Sequence, residues 1–114
     1  METDNVRFSQ LSSPRQTLVR ACQKLNFGEL RLVCVRHCQP VFNPAPAMLV
    51  EKRLDLDDTP RPEAELADFV LCGGVRRLLE QLDDIRDGVI ESIEVRAGVP
   101  RRIVFHSPLP EAVA

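Results

Sequence analysis

Apolar residues recur along the first part of the chain at helical spacing and then change to the two-residue beat of a strand. Leu18, Cys22 and Leu25, with Val19 and Ala21 beside them, make one apolar face. Ahead of them Ser13-Pro14-Arg15-Gln16 carries the signals of a helix start: Ser13 as cap, Pro14 at the first helical position, and Gln16 placed to reach back as in a capping box. Asn26-Phe27-Gly28 stops the helix, because glycine enters the left-handed conformation without a Cβ clash. The following ELRLVCVR is rich in β-formers, and His37-Cys38-Gln39-Pro40 turns it into a short return strand through Val41 and Phe42. The pattern predicts helix, strand, turn, strand.

The same grammar returns 60 residues later. Residues 16–40 align without a gap on residues 76–100: Leu18 falls on Leu78, Cys22 on Leu82, Leu25 on Ile85, Gly28 on Gly88, Leu30 on Ile90, Val33 on Ile93, Val35 on Val95 and Pro40 on Pro100. Identities are few, but apolar falls on apolar with glycine and proline at the same joints. In the second copy Asp68 is the expected cap of a helix over residues 69–85, bent or delayed by Gly73-Gly74. Asp87-Gly88 leads into VIESIEVR, and Ala97-Gly98-Val99-Pro100 turns the chain back into RRIVFH.

These elements define an α+β fold: two pseudo-repeated helix-strand-strand (αββ) units packed as one domain around a shared antiparallel sheet, since neither unit alone can bury its apolar face. The expected organisation is a flexible N-terminus over residues 1–12, a single domain over 13–106 and a flexible tail over 107–114. Within the domain, repeat one covers 13–43, repeat two covers 68–106, and a proline-rich linker over 44–67 has room for one edge strand at residues 48–54.

A short helix, then a tyrosine- or phenylalanine-glycine joint, then an alternating apolar strand turning at a glycine is the pattern in which this chain resembles the YezD-like family of small uncharacterised bacterial proteins. Asn26-Phe27-Gly28 and Asp87-Gly88, each followed by a hairpin, carry the resemblance, which covers the repeated segments. The strand between joint and turn is about one residue longer here, and His37-Cys38 and Ala97-Gly98 stand where the family has Asp-Gly. The family has no assigned activity, so the resemblance implies a fold and leaves function open.

Composition narrows the chemistry. With five Phe and no Trp or Tyr among 114 residues, the chain has little with which to build base-stacking platforms or aromatic cages. A net charge of −2 with acids and bases interspersed gives no global pull toward nucleic acid or an anionic membrane. Apolar runs such as residues 69–72 and 103–105 fall far short of the roughly 20 residues that cross a bilayer. The polar start of the sequence has neither the basic nor the apolar region of an export signal, so the expectation is a cytoplasmic protein whose four cysteines are thiols.

Cys34-Val35-Arg36-His37-Cys38 places three potential metal ligands within five residues, yet the spacing is not that of a zinc knuckle, and the other copy has Glu94, Ala97 and Gly98 there. Cys34, His37 and Cys38 are therefore candidates only, and no metal or cofactor is expected. Cys38 beside His37 lacks an orienting carboxylate and an oxyanion hole, and Ser107 beside His106 lacks a nucleophile elbow. Asp55, Asp57 and Asp58 have no calcium-loop register and read as a solvated linker, while Asp83, Asp84 and Asp87 crowd a helix C-terminus, the wrong end for the helix dipole.

Arg96, Arg101 and Arg102 cluster at the second hairpin, with Arg36 at the matching place in the first, and two arginine-tipped hairpins are equipped to grip phosphates or an acidic protein surface. Because no catalytic constellation survives, the expectation is a non-catalytic protein-interaction module, binding an unknown protein partner or a second copy as a homodimer. The alternatives are a nucleic-acid-binding regulator that uses Arg36, Arg96, Arg101 and Arg102, and a small thiol- or metal-dependent enzyme.

Overall fold

A computed structural model describes residues 6–57 and 59–107. Among them the chain forms two α-helices and a five-stranded antiparallel sheet, an α+β fold. Helix α1 (Ser13–Leu25) leads into β1 (Phe27–Arg36), β2 (Gln39–Val41) and β3 (Ala47–Val50). Helix α2 (Gly73–Ile85) leads into β4 (Gly88–Arg96) and β5 (Val99–Phe105), and short 3-10 turns lie at Phe8–Gln10 and Pro62–Glu65. The sheet runs β2-β1-β4-β5, with β3 also paired to β1. Strands β1 and β4 are the long central pair, Phe27 opposite Arg96 at one end and Val35 opposite Gly88 at the other. The outer edge of β1 is shared: Cys34, Val35 and Arg36 face β2, whereas Gly28 through Arg31 face β3.

The core follows from which strand residues point at the helices. Leu30, Val33 and Val35 of β1 and Ile90, Ile93 and Val95 of β4 are all sealed from solvent, packed with Leu18, Val19, Cys22 and Leu25 of α1 and Val75, Leu78, Leu79 and Leu82 of α2. Fully burying a side chain of this size contributes roughly 1.5–3 kcal/mol. The inward residues step by three in the middle of each central strand, Leu30 to Val33 and Ile90 to Ile93, instead of by two. In β1 the extra step is taken by Leu32, whose φ of 60° turns its side chain into solvent. A simple alternating reading of ELRLVCVR does not foresee this change of phase.

Several local expectations are corrected. The N-cap of α1 is Ser12, whose Oγ accepts from the Arg15 N–H, and Gln16 donates instead to the carbonyls of Phe8 and Leu11. Helix α2 begins at Gly73 with Cys72 as N-cap, so Asp68 does not cap it. Residues 69–71 are held extended because Phe69 stacks on Phe8 at 4.9 Å, the Phe8 N–H donates to the Phe69 carbonyl, and the Leu71 N–H donates to Val6. Asp68 accepts from Arg7 Nε and from the Ser9 N–H, both at 2.8 Å. The stretch expected as a flexible N-terminus thus supplies buried Phe8 to the core. The edge strand is Ala47–Val50 and ends before residues 51–54. Of the expected C-terminal tail, residues 108–114 lie outside the described residues, as does Asp58.

The helix stops are Asn26 and Arg86, both with φ of 64°, two residues before the glycines expected to do this work. Both hairpins turn on two consecutive positive-φ residues, His37 (52°) with Cys38 (66°), and Ala97 (54°) with Gly98 (76°). Each turn is hooked to the far helix: the Cys38 N–H donates to the Arg86 carbonyl and the Gly98 N–H to the Asn26 carbonyl, both at 2.9 Å. Among the described residues no helix is long and apolar enough to cross a membrane.

Candidate functional site: an arginine-lined groove

The start of α2 lies in close against β5. A Cβ on Gly74 would stand 2.7 Å from Val99 Cγ1 and 2.8 Å from the Pro100 carbonyl, so only glycine lets the helix approach this near. Beyond that contact the helix and strand diverge around a groove of about 460 Å³, floored by Leu78, Val99, Pro100 and Ile103. Cys72 and Gln81 also line it.

Five arginines border this groove: Arg61 from the linker, Arg77 from α2, Arg96 from the end of β4, and Arg101 and Arg102 from β5. Arg61 is brought in by the second hairpin turn, where a Cβ on Gly98 would meet its Cδ at 2.8 Å. Two glutamates offset part of the charge. Arg61 Nη2 lies 2.8 Å from Glu63 Oε2, Arg96 Nη2 lies 3.1 Å from Glu94 Oε2, and Arg102 Nε is 3.7 Å from Glu94 Oε1. The Arg61 hydrogen bond holds the Glu63 carboxyl below its ordinary range. No carboxylate lines the groove itself, and Arg77 and Arg101 form no ion pair among the described residues. Arg77 folds back along its helix so that its guanidinium passes over Gly73. The result is an apolar floor with planar, forked hydrogen-bond donors on several sides, an arrangement suited to carboxylates presented on an extended segment.

The structure gathers Arg96, Arg101 and Arg102 on this groove and leaves Arg36 elsewhere. Arg36 ends β1 beside the start of β4, nine ladder positions from the Phe27–Arg96 pair, or roughly 30 Å at strand spacing. Its Nη1 donates to the carbonyl of Val35. Sequence reasoning missed Arg61 and Arg77. Arg77 reads as one of many charges on an outward helix face, and the linker has no periodicity that would place Arg61.

Cys34 sits in β1 between Val41 and Val89, while His37 and Cys38 form the turn itself. That turn is bound to the end of α2: the His37 N–H donates to Asp87 Oδ1 at 3.0 Å, Cys38 Sγ approaches the Asp83 carbonyl at 3.7 Å, and Arg15 Nη2 spans the Cys38 carbonyl and Asp83 Oδ1. Among the described residues no three His, Cys, Asp or Glu side chains are arranged to hold a metal ion. The acids at the end of α2 are thus partly absorbed within the chain, Asp83 by Arg15 and Asp87 by the turn. A second cavity, lined by Val6, Leu11, Leu71 and Leu79 with Arg15 and Asp83, has that same ion pair across it.

Compared with known proteins, the chain matches no family model, no curated protein and no solved structure. The functional reading therefore rests on the groove.

Proposed function

We propose that the domain is a non-catalytic interaction module whose working surface is the groove between α2 and β5 and whose ligand is an acidic protein segment. The observation that carries this reading is the convergence of five arginines from three parts of the chain on one groove with an apolar floor and no carboxylate in its lining. Arginine forks on a partly apolar surface favour carboxylates flanked by apolar side chains over a bare polyanion. A groove of about 460 Å³ receives a few side chains, and a net charge of −2 disfavours a duplex, which is bound through many phosphates at once.

The scaffold is read as a duplicated αββ unit of the kind the YezD-like resemblance implies, working in the cytoplasm. Supporting the duplication are two 13-residue helices 60 positions apart, matching positive-φ stops at Asn26 and Arg86, and two turns each hooked by a 2.9 Å hydrogen bond to the opposite helix.

The test is fluorescence anisotropy with a labelled peptide alternating leucine and aspartate, against a leucine-lysine control and a single-stranded oligonucleotide. The acidic peptide binds, the affinity falls with salt, and Arg77→Ala with Arg101→Ala weakens it by about tenfold or more. Equal binding by the double variant sinks the reading, and tighter binding of the oligonucleotide turns it toward a nucleic-acid regulator.

A further inference from the structure

We infer that the groove is filled by the acidic linker of a second copy of this chain, two copies exchanging linkers reciprocally in a two-fold dimer. The inference rests on the reading of the groove as a site for acidic protein segments.

The linker supplies the complementary chemistry. Leu54-Asp55-Leu56-Asp57 follows the edge strand β3 in irregular backbone, and Leu54 is 98% exposed and Leu56 60% exposed. Leu54 stands almost wholly in water, and Leu56, two positions on, is more than half exposed. Asp55 and Asp57 are exposed and form no ion pair among the described residues. In extended backbone, alternate side chains point to opposite sides. Two leucines can therefore rest on the Leu78, Val99 and Ile103 floor while two carboxylates rise to the arginine rim. Arg77 and Arg101, which form no ion pair among the described residues, are the cations such carboxylates would meet.

The donor is a second copy because the linker is already committed in its own chain. Thr59 is anchored by Asn26 Nδ2 at 3.2 Å, and Arg61 already lies in the groove, while residues 54–57 stand out in solvent. Among the described residues each chain thus carries both an exposed acidic-apolar segment and a basic groove. Reciprocal exchange satisfies both at once and closes the assembly at two, avoiding the open chain that a head-to-tail contact would propagate.

A charge-swap experiment read by sedimentation velocity tests this. Wild type sediments as a dimer at low salt and shifts toward monomer at high salt. Asp55→Arg with Asp57→Arg leaves the groove intact and yields monomer, as does Arg77→Glu with Arg101→Glu, each raising the dimer Kd by about tenfold or more. Mixing the two variants restores a dimer, since the reversed linker now meets the reversed groove and the second contact is native. Two results overturn the inference: a wild-type monomer across the accessible concentration range, or a dimer that persists in both variants. Acidic-peptide binding by a monomeric wild type would leave the proposed function standing while removing the exchange. Circular dichroism of each variant establishes that it is folded.

Discussion

Gly28 and Gly88 occupy corresponding places at the starts of the two central strands, yet replacing each by alanine is expected to have very different effects. Gly28 has a φ of 149°, which L side chains rarely adopt, and a Cβ built on it would stand 2.0 Å from the Leu49 carbonyl oxygen in β3 and 3.1 Å from Leu25 Cδ1. Ordinary carbon–oxygen contact is more than about 1 Å longer, and the obstacle is backbone, so the β1–β3 ladder must open at Gly28 opposite Val50. The unfavourable backbone costs about 1–3 kcal/mol and each ladder hydrogen bond lost costs about 0.5–1.5 kcal/mol. All four residues of β3 are exposed, so its release removes hydrogen bonds but leaves the core closed. Gly28→Ala should therefore lower stability by about 2–4 kcal/mol. At Gly88 a Cβ meets only Ile85 Cγ2, at 3.3 Å, and no positive φ is required, so Gly88→Ala should fall within about 1 kcal/mol of wild type in either direction. Urea unfolding gives the two free energies, and native-state hydrogen exchange should show faster exchange on β3 amides in Gly28→Ala alone. Indistinguishable stabilities, or a destabilised Gly28→Ala with β3 still protected, would refute the reasoning.

Leu32 sits mid-strand with a left-handed backbone, so Leu32→Val, which strand propensity favours, should instead destabilise by about 1 kcal/mol, whereas Leu32→Asn stays within about 0.5 kcal/mol in urea titrations. Burial first, and the neighbouring Cys72 thiol second, push the Cys22 thiol up to about 12. Cys22 should accordingly be the last of the four thiols to react with a disulfide reagent at mildly alkaline pH, reacting at the rate of the others only in denaturant. Asp68 is held at about 2, against an ordinary 3.8, chiefly by the Arg7 hydrogen bond and then by the Ser9 N–H. A lowered carboxyl stabilises the fold above its unfolded value, so the gap in melting temperature between wild type and Asp68→Asn should be full above pH 3.8 and close as pH falls through about 2. Arg20 lies over the Phe8 ring at 4.4 Å and donates to Gln23 Oε1 and the Glu63 carbonyl. Arg20→Lys keeps the charge but not the fork, and should cost about 1–2 kcal/mol in thermal or urea unfolding.

What the sequence revealed and what it hid divide along the range of the forces involved. Helical periodicity placed Leu18, Cys22, Leu25, Leu78 and Leu82 on buried faces, because amphipathic spacing is a local record of which side meets the core. The matched residues Leu30 and Ile90, Val33 and Ile93, Val35 and Val95 all point inward, although the phase break between them is invisible in a string of β-formers. Phe69, Val70 and Leu71 look like helix, and only pairing with residues 6–8, some sixty positions away, makes them extended. The candidate site was legible where its arginines cluster in the chain, at Arg96, Arg101 and Arg102. Arg61 and Arg77 join them through the close helix approach at Gly74 and the turn at Gly98, contacts that form only once the chain has folded. The same limit applies to Arg36, which shares the pattern of Arg96 but ends at the opposite end of the central strand pair.

The two hooks that join Cys38 to Arg86 and Gly98 to Asn26 make the halves mutually dependent: each hairpin closes on a carbonyl that the other half supplies. With β1 zipped along β4 between those hooks, the two peptide bonds from Leu54 to Leu56 add little to the fold of a single chain beyond keeping its pieces near each other. A monomer at high salt, nicked by a protease in that stretch, should migrate as one particle until denatured, then reassemble only when both fragments are present.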